Sequence, residues 1–276
     1  MPNPMKKIWH VGEMSFVMKR MHIFKCPVCG SEDWNNVYHI QMWSIGECKG
    51  CGFARIDPLP DRAQRSEFYC GQEVIKRFEK KRRGIVKLSR EIKLWANRVS
   101  KRDKTRIFQK KTLRYVPRGG SVFDIGCGDG SYLERMKDQY RCFGIEMSDF
   151  LADYARKERH LENIYTGDFQ DFPLDGKKFD AITMISLIEH LDDPLRTLVK
   201  CFEHLNHNGV LILKTVNYNC VNRKIMKEKW VGLRPPDHIV YFSPGNLERL
   251  LRKIGFARVK VSAFPMNDNM YCDAFK

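Results

Sequence analysis

The stretch Phe123-Asp124-Ile125-Gly126-Cys127-Gly128-Asp129-Gly130 decides the fold, because it joins a short apolar run to a helical pattern. Residues 122–125 are typical of a buried strand, and Ser131 to Gln139 of a helix. Three glycines at alternate positions let a ligand approach the backbone closely. Asp124 stands just before them, where it would attract a cationic amine and repel a pyrophosphate. The stretch therefore favours a cofactor with an amino group over a dinucleotide.

Apolar runs of strand length alternate with helical patterns through the C-terminal half. Strands are predicted at 141–146, 163–166, 179–185, 210–215 and 257–264. Helices are predicted over 244–254 and onward from Asp149 and Pro194. Because such alternation requires crossover connections, it predicts a mostly parallel sheet with helices on both faces. The predicted fold class is therefore α/β.

The glycine-rich stretch and the signatures after it resemble those of the class I S-adenosylmethionine (SAM)-dependent methyltransferases. Asp-Ile-Gly-Cys-Gly-Asp-Gly at 124–130 is similar to motif I of that family. Residues 179–182 and 208–211 are similar to its fourth strand and to the turn before its fifth. The resemblance covers residues 112–264. It implies a Rossmann-like, doubly wound, mostly parallel seven-stranded sheet, and SAM as the cofactor.

The resemblance also assigns cofactor contacts to individual residues. Glu146, at the end of the second strand, matches the acid that binds the ribose hydroxyls in the family. Asp168 matches the carboxylate at the adenine amino group, and Phe169 matches the aromatic ring against the base. The expected cofactor-binding set is Asp124, Gly126, Cys127, Gly128, Gly130, Glu146, Met147, Asp168, Phe169 and Ile185.

Four cysteines near the N-terminus have the spacing of a metal site. Cys26 and Cys29 form one pair, Cys48 and Cys51 form the other, and 18 residues separate the pairs. Two such pairs are typical of structural zinc, held by four thiolates with no open coordination position. An iron–sulfur cluster is the second candidate. The matching pairs predict a zinc ribbon, with hairpin strand over 37–45.

Two histidines are candidates for moving a proton. An oxygen or carbon acceptor loses a proton when it is methylated, and imidazole titrates near neutral pH. His190 follows the fourth strand at the carboxyl edge, where open α/β sheets place their sites. His238 lies in the insertion after the fifth strand, where similar enzymes have an acceptor-pocket histidine. The alternative interpretation of both is structural: a histidine that shapes the cofactor pocket, and one capped within a packed lid.

Positive charge is concentrated in one segment. The formal net charge is +16, and residues 76–118 hold 18 Lys and Arg against three acids. Apolar residues from Ile85 to Val99 recur at steps of three and four, which predicts a helix with one apolar face. Three interpretations stay open: a solvated face, a site for a phosphate-bearing acceptor or an anionic membrane surface, and a nucleic-acid contact.

Composition restricts the class of protein. Of 276 residues, 43% are hydrophobic and 30% are charged, which is typical of a globular chain. No apolar run approaches the length of a membrane span, and no secretory signal follows Lys6 and Lys7. Ten cysteines in such a chain indicate reduced thiols, so the expected location is cytoplasmic.

These patterns divide the chain into an N-terminal tail (1–22), a zinc ribbon (23–60), a basic helical segment (61–118) and a methyltransferase domain (119–276). Together with the pair Phe68-Tyr69, this order resembles bacterial zinc-ribbon methyltransferases of glycan and other small-molecule biosynthesis. Residues 189–194 resemble ubiquinone-biosynthesis O-methyltransferases.

The expected function is SAM-dependent methylation of an oxygen or carbon of a biosynthetic small molecule, such as a sugar- or lipid-linked one. The first alternative is a zinc-containing methyltransferase of ribosomal RNA bases. The second is a non-catalytic nucleic-acid-binding protein, which the intact acids at 124, 146 and 168 disfavour. The acceptor and the oligomeric state do not follow from the sequence.

Overall fold

The computed structural model describes residues 24–71, 75–76, 78–79 and 104–276. The tail predicted at 1–22, much of the basic segment, and its apolar face at 85–99 lie outside these residues. The described chain forms a four-stranded and a seven-stranded sheet. One hydrophobic cluster contains buried residues of both sheets, and a second cluster contains further buried residues of the larger sheet.

The cysteine pairs lie at the ends of a small antiparallel sheet. Strands β1 (Trp34–Ile40), β2 (Trp43–Cys48) and β3 (Ala54–Asp57) pair in sequence order. The hairpin strand predicted at 37–45 is therefore two strands with a turn at 41–42. Trp43 and Ile45 of β2 and Ile56 of β3 are at most 3% exposed, so one face of β2 and β3 is packed, whereas no residue of β1 is fully buried.

In the described part of the chain between the two sheets, two helices have defined bounds. Helix α1 (Arg62–Cys70) begins at Asp61, whose side chain accepts from the backbone of Gln64 in a capping box. Helix α2 (Lys104–Tyr115) ends the basic segment. Lys111 of α2 is ion-paired at 2.5 Å to the carboxylate of Asp273, which is 1% exposed. This part of the basic segment is thus anchored to the core.

Five parallel strands form the centre of the larger sheet. They are β4 (Ser121–Ile125), β5 (Arg141–Glu146), β6 (Asn163–Thr166), β7 (Phe179–Ile185) and β8 (Leu205–Val216). β4 pairs with β5 on one side and with β7 on the other, so the strand order reverses at β4. All five residues of β4 are buried, as expected for a strand covered on both faces.

Five further α-helices lie among the described residues from Ser131 onward, and the first three connect parallel strands. They are α3 (Ser131–Glu134), α4 (Asp149–Glu158), α5 (Pro194–Glu203), α6 (Val221–Met226) and α7 (Pro244–Ile254). Helix α3 is shorter than the predicted 131–139, because the N–H groups of Arg135 and Met136 bond carbonyls three residues back, which ends the α-helix in tighter turns. Among the described residues, no helix is long and apolar enough to cross a membrane.

Three further strands complete the two sheets. β9 (Val240–Tyr241) pairs with β3 and so joins the small sheet. β10 (Arg258–Ala263) and β11 (Asn269–Phe275) form an antiparallel hairpin, and β11 pairs antiparallel with β8. The large sheet has the order β10-β11-β8-β7-β4-β5-β6. The predicted Rossmann-like, mostly parallel seven-stranded sheet is confirmed, although the sequence prediction did not locate β11.

Candidate active site and metal centre

The glycine-rich loop lies where β4 ends and α3 begins, at the point where strand order reverses. Gly126, Gly128 and Gly130 all have positive φ, between 55° and 73°, which side chains disfavour. A Cβ at Gly128 would meet nothing within 4 Å, whereas one at Gly130 would lie 2.6 Å from Leu161. Gly128 therefore leaves open space for a ligand, and Gly130 is required by packing.

Asp124 is a buried carboxyl directly beneath this loop. It is 2% exposed, and Thr183 of β7 donates a 2.6 Å hydrogen bond to it. Burial raises the pKa of Asp124 to about 7, with the charge of Glu146 acting in the same direction and the Thr183 bond opposing. The carboxylate is therefore costly to ionise until a cation approaches it.

Glu146 faces the loop from the end of β5. Its Oε2 accepts from the N–H of Gly128 at 2.9 Å, and its Oε1 accepts from the N–H of Ser148 at 3.0 Å. Burial raises the pKa of Glu146, while these backbone donors oppose the shift. Both carboxylate oxygens are fixed, and each keeps a second lone pair for a ligand hydroxyl.

The remaining residues of the expected cofactor-binding set lie at the same edge of the large sheet, but they differ in how much of each residue is exposed to solvent. Asp168 is partly exposed and accepts from the N–H of Gln170 at 2.9 Å. The ring of Phe169 is 5% exposed and packs 5.9 Å from that of Phe123, so it leaves little free face for a base. Cys127 is 7% exposed, while Met147 and Ile185 are partly open.

His190 lies just beyond β7, in a short 3₁₀ turn (Ile188–His190), and is held by Asp237. Its Nδ1 is 2.6 Å from the carbonyl oxygen of Asp237 and 3.1 Å from the Oδ1 of the same residue. Because both oxygens accept, Nδ1 carries the proton and Nε2 of the neutral ring is the proton acceptor. Burial lowers the pKa of His190, but the bond and charge of Asp237 outweigh it, so the pKa is raised.

His238 lies against His190, with ring centroids 4.9 Å apart, but its nitrogens are both engaged. Nδ1 donates to the carbonyl of Gly232 at 2.7 Å, and Nε2 accepts from Arg234 at 2.5 Å. Burial and the neighbouring charges of His190 and Arg234 lower the pKa of His238 to about 3. The ring is therefore neutral and has no free lone pair for proton transfer.

Glu189, which the sequence analysis did not single out, lies next to both histidines. It is 1% exposed, and within the described part of the chain its Oε2 has no hydrogen-bond partner. One ligating atom from each of Glu189, His190 and His238 lies within 4.8 Å of the others. Because Arg234 and Gly232 occupy both nitrogens of His238, the trio does not offer three free ligands to a metal.

Helix α1 supplies a further residue that the sequence analysis placed in no role. The hydroxyl of Tyr69 is 3.0 Å from Nδ1 of His190 and donates to the carbonyl of Asp237 at 3.2 Å. Arg65 of the same helix pairs with Asp192 at 2.6 Å, and Cys70 donates to the carbonyl of Met147. The available sequence signals were the pair Phe68-Tyr69 and Asp237, which directly precedes His238.

The four predicted metal ligands converge at the end of the small sheet. Sγ atoms of Cys26 and Cys51, and of Cys29 and Cys48, are 3.5 Å apart, and all four lie within 4.8 Å of one another. Four thiolates bound to zinc at about 2.3 Å would be separated by roughly 3.8 Å. Burial raises the pKa of Cys26 to about 11, so a bound cation would stabilise its thiolate. The cluster fits zinc.

The reversal of strand order, the glycine loop and the acids at 124 and 146 define a Rossmann-like domain that binds a small cofactor at the carboxyl edge of its sheet. The chain belongs to the methyltransferase domain family, whose characteristic sequence matches residues 92–261.

Named relatives share only part of their length with this chain. The ubiquinone biosynthesis O-methyltransferase of Coxiella burnetii is 28% identical over 145 residues, which are 49% of this chain and 62% of that enzyme. The dTDP-4-amino-2,3,4,6-tetradeoxy-D-glucose N,N-dimethyltransferase of Saccharopolyspora spinosa is 32% identical over 104 residues, which are 36% of this chain and 41% of that enzyme.

Solved structures share the fold of the large sheet. DesVI of Streptomyces venezuelae has a TM-score of 0.50 at 19% identity, covering 62% of this chain and 89% of its own. The plantazolicin methyltransferase BamL, solved with SAH, has a TM-score of 0.51 at 13% identity, covering 60% and 80%. At these identities the likeness establishes the fold alone.

Proposed function

We propose that the protein is a SAM-dependent methyltransferase that methylates an oxygen or carbon of a small molecule, with His190 as the base. The observation that carries this proposal is the His190–Asp237 pair, placed at the same sheet edge as the open glycine loop. A base here can take the proton that the acceptor loses on methylation.

In this proposal the cofactor set divides by role. Glu146 accepts hydrogen bonds from the ribose hydroxyls, and Asp124 faces the cationic amino acid part of SAM. Asp168 is kept as the partner of the adenine amino group. Bound SAM supplies an activated methyl group, so the chain itself has to orient the acceptor and exclude water.

His190 and His238 take different parts in the proposed reaction. Asp237 holds the proton on Nδ1 of His190 and leaves Nε2 to accept the acceptor's proton. The raised pKa of His190 makes it a stronger base than free imidazole. His238, neutral and bonded at both nitrogens, forms a wall behind His190 and fixes its ring.

The zinc-containing RNA methyltransferase remains the second candidate, because residues 76–118 are strongly basic. The part of this segment that the structure describes gives RNA binding less support, because the ammonium group of Lys111 is already paired with the carboxylate of Asp273. We keep zinc at the four cysteines, the four-part division of the chain, a cytoplasmic location, and a phosphate-bearing or membrane-associated acceptor as parts of the proposal.

The test follows a labelled methyl group from SAM into two fractions of one extract: molecules below about 1 kDa and ribosomal RNA. We expect label in the small molecules with the unmodified chain, and loss of about 10²–10⁴-fold with His190→Asn. His204→Asn is the matched control, because His204 is a partly exposed histidine bonded to the carbonyl of Lys177. Label in ribosomal RNA that depends on His190 would favour the alternative.

A further inference from the structure

The metal-binding sheet is continuous with the acceptor side of the site. β3 follows the second cysteine pair and is hydrogen-bonded to β9, with Ala54 opposite Tyr241 and Arg55 opposite Val240. The pairing continues past β9, because the N–H of Ile56 donates to the carbonyl of Ile239 at 3.0 Å. The residues that follow His238 are therefore part of the small sheet.

The same backbone then reaches the candidate base. The N–H of Ile239 donates to the carbonyl of Glu189 at 2.8 Å. Glu189 directly precedes His190, and Ile239 lies two residues after Asp237. The segment 239–241 is thus hydrogen-bonded to the small sheet on one side and to the turn that carries His190 on the other.

Side chains strengthen this connection beside the second cysteine pair. The carbonyl of Phe53 accepts from the N–H of Cys48 at 2.8 Å, and the ring of Phe53 lies 4.9 Å from that of Phe242. Both rings are at most 1% exposed. Phe53 is two residues from Cys51, so a change in the metal-binding turn displaces a buried neighbour of β9.

The cofactor half is held by a different set of bonds. The N–H groups of Gly126 and Cys127 donate to Ile145 of β5, and Gly128 donates to Glu146. Asp124 is bonded by Thr183 of β7. These bonds join strands of the large sheet to one another and do not pass through β3 or β9.

We propose that metal bound by Cys26, Cys29, Cys48 and Cys51 positions the His190–Asp237 pair through β3 and β9, and leaves the cofactor half unaffected. The proposal rests on the proposed function for the meaning of His190 as a base. Its first test measures backbone protection and needs no acceptor, so its failure can be distinguished from failure of the proposed function.

The experiment compares hydrogen exchange of the full chain loaded with zinc and after removal of zinc by a chelator, with the metal content measured in both. Without metal, the amides of 54–57 and 239–241 should exchange at least about tenfold faster, while those of 121–125 keep their rates. SAM affinity should change less than about twofold. Cys48→Ser should reproduce the loss, and Cys220→Ser is the control, because serine is a good N-cap for α6.

A second variant separates the metal from the strand pairing. Ile56→Pro removes the N–H that donates to the carbonyl of Ile239. The variant should therefore still bind one zinc, while its amides at 239–241 exchange faster. In a histidine-ring NMR titration, assigned with His190→Gln, both this variant and the metal-free chain should show a lower midpoint for His190, because Asp237 no longer holds it. The proposal would be overturned if the amides of 239–241 exchanged at the same rate with and without metal. It would also be overturned if removal of metal accelerated exchange at 121–125 as much as at 239–241, or if the purified chain held no metal.

Discussion

Lowering the pH from 7.5 to 5.5 is expected to weaken SAM binding, because in the proposed site the cofactor's ammonium group faces the carboxylate of Asp124 and needs it ionised. Burial raises the pKa of this carboxyl to about 7. Its ionised fraction then falls from roughly 76% at pH 7.5 to roughly 3% at pH 5.5. If only the carboxylate binds the ammonium, affinity drops roughly 25-fold, or about 1.9 kcal/mol.

The assay is calorimetry of SAM binding across this pH range, in two buffers with different ionisation enthalpies. Below pH 6.5, binding should release close to one proton, because Asp124 must ionise. Asp124→Asn should bind weakly with a flat pH dependence, whereas Glu146→Gln should bind weakly but retain most of the slope. Affinity of the unmodified chain that stays constant from 7.5 to 5.5 would refute the role given to Asp124.

The same carboxyl predicts an opposite trend for stability without cofactor. Its pKa is raised on folding, so its contribution is fully present below the unfolded pKa of about 3.9 and is lost as pH rises through about 7. Asp124→Asn removes this titration. Thermal unfolding should therefore show the variant gaining stability relative to the unmodified chain between pH 5 and 8.

Three further predictions concern the base, the loop and the anchored helix. Turnover should rise with pH through the raised pKa of His190, and Asp237→Asn should move that rise to lower pH, measured as a pH–rate profile of SAH release. Gly128→Ala should weaken SAM binding and lower the free energy of unfolding by about 1 kcal/mol. Gly130→Ala should lower the free energy of unfolding, measured with denaturant, by about 1–3 kcal/mol more than Gly128→Ala, because its Cβ would lie 2.6 Å from Leu161. Asp273→Asn should cost about 3–5 kcal/mol in the same assay, because it leaves the Lys111 charge uncompensated at the core.

Each of these has an outcome that contradicts it. An unchanged pH midpoint in Asp237→Asn would mean that another group sets the profile. Equal stability of the two alanine variants would mean that Leu161 moves aside without cost. Wild-type stability of Asp273→Asn would mean that the ion pair with Lys111 contributes nothing on balance.

The parallel strands and the glycine loop follow from local sequence. Central strands carry short apolar runs, such as Val210 to Leu213 of β8, and the loop needs glycine at its positive φ angles, so both leave a signature within a few residues. β11 leaves a weaker sequence signature, because Asp273 interrupts its apolar pattern. That carboxylate is tolerated because Lys111, 162 residues earlier, neutralises it and the hydroxyl of Tyr115 donates to it.

The acceptor side of the site depends on contacts that no local pattern encodes. Tyr69 meets His190 across 121 residues of sequence, and β9 is only two residues long. The inertness of His238 depends on the carbonyl of Gly232 and the guanidinium of Arg234, which the fold brings to its two nitrogens. Sequence reasoning therefore found both histidines but could not rank them.

The pairing of β3 with β9 has a consequence for synthesis of the chain. Ala54 leaves the ribosome roughly 185 residues before its partner Tyr241, a delay of roughly 10–40 s at ordinary rates of translation. Throughout that interval the nascent chain carries an open strand edge and an uncovered Phe53, both of which favour aggregation. The shortness of β3, four residues, limits this hazard. Overproduction should therefore yield more insoluble protein when translation is slowed between residues 60 and 240.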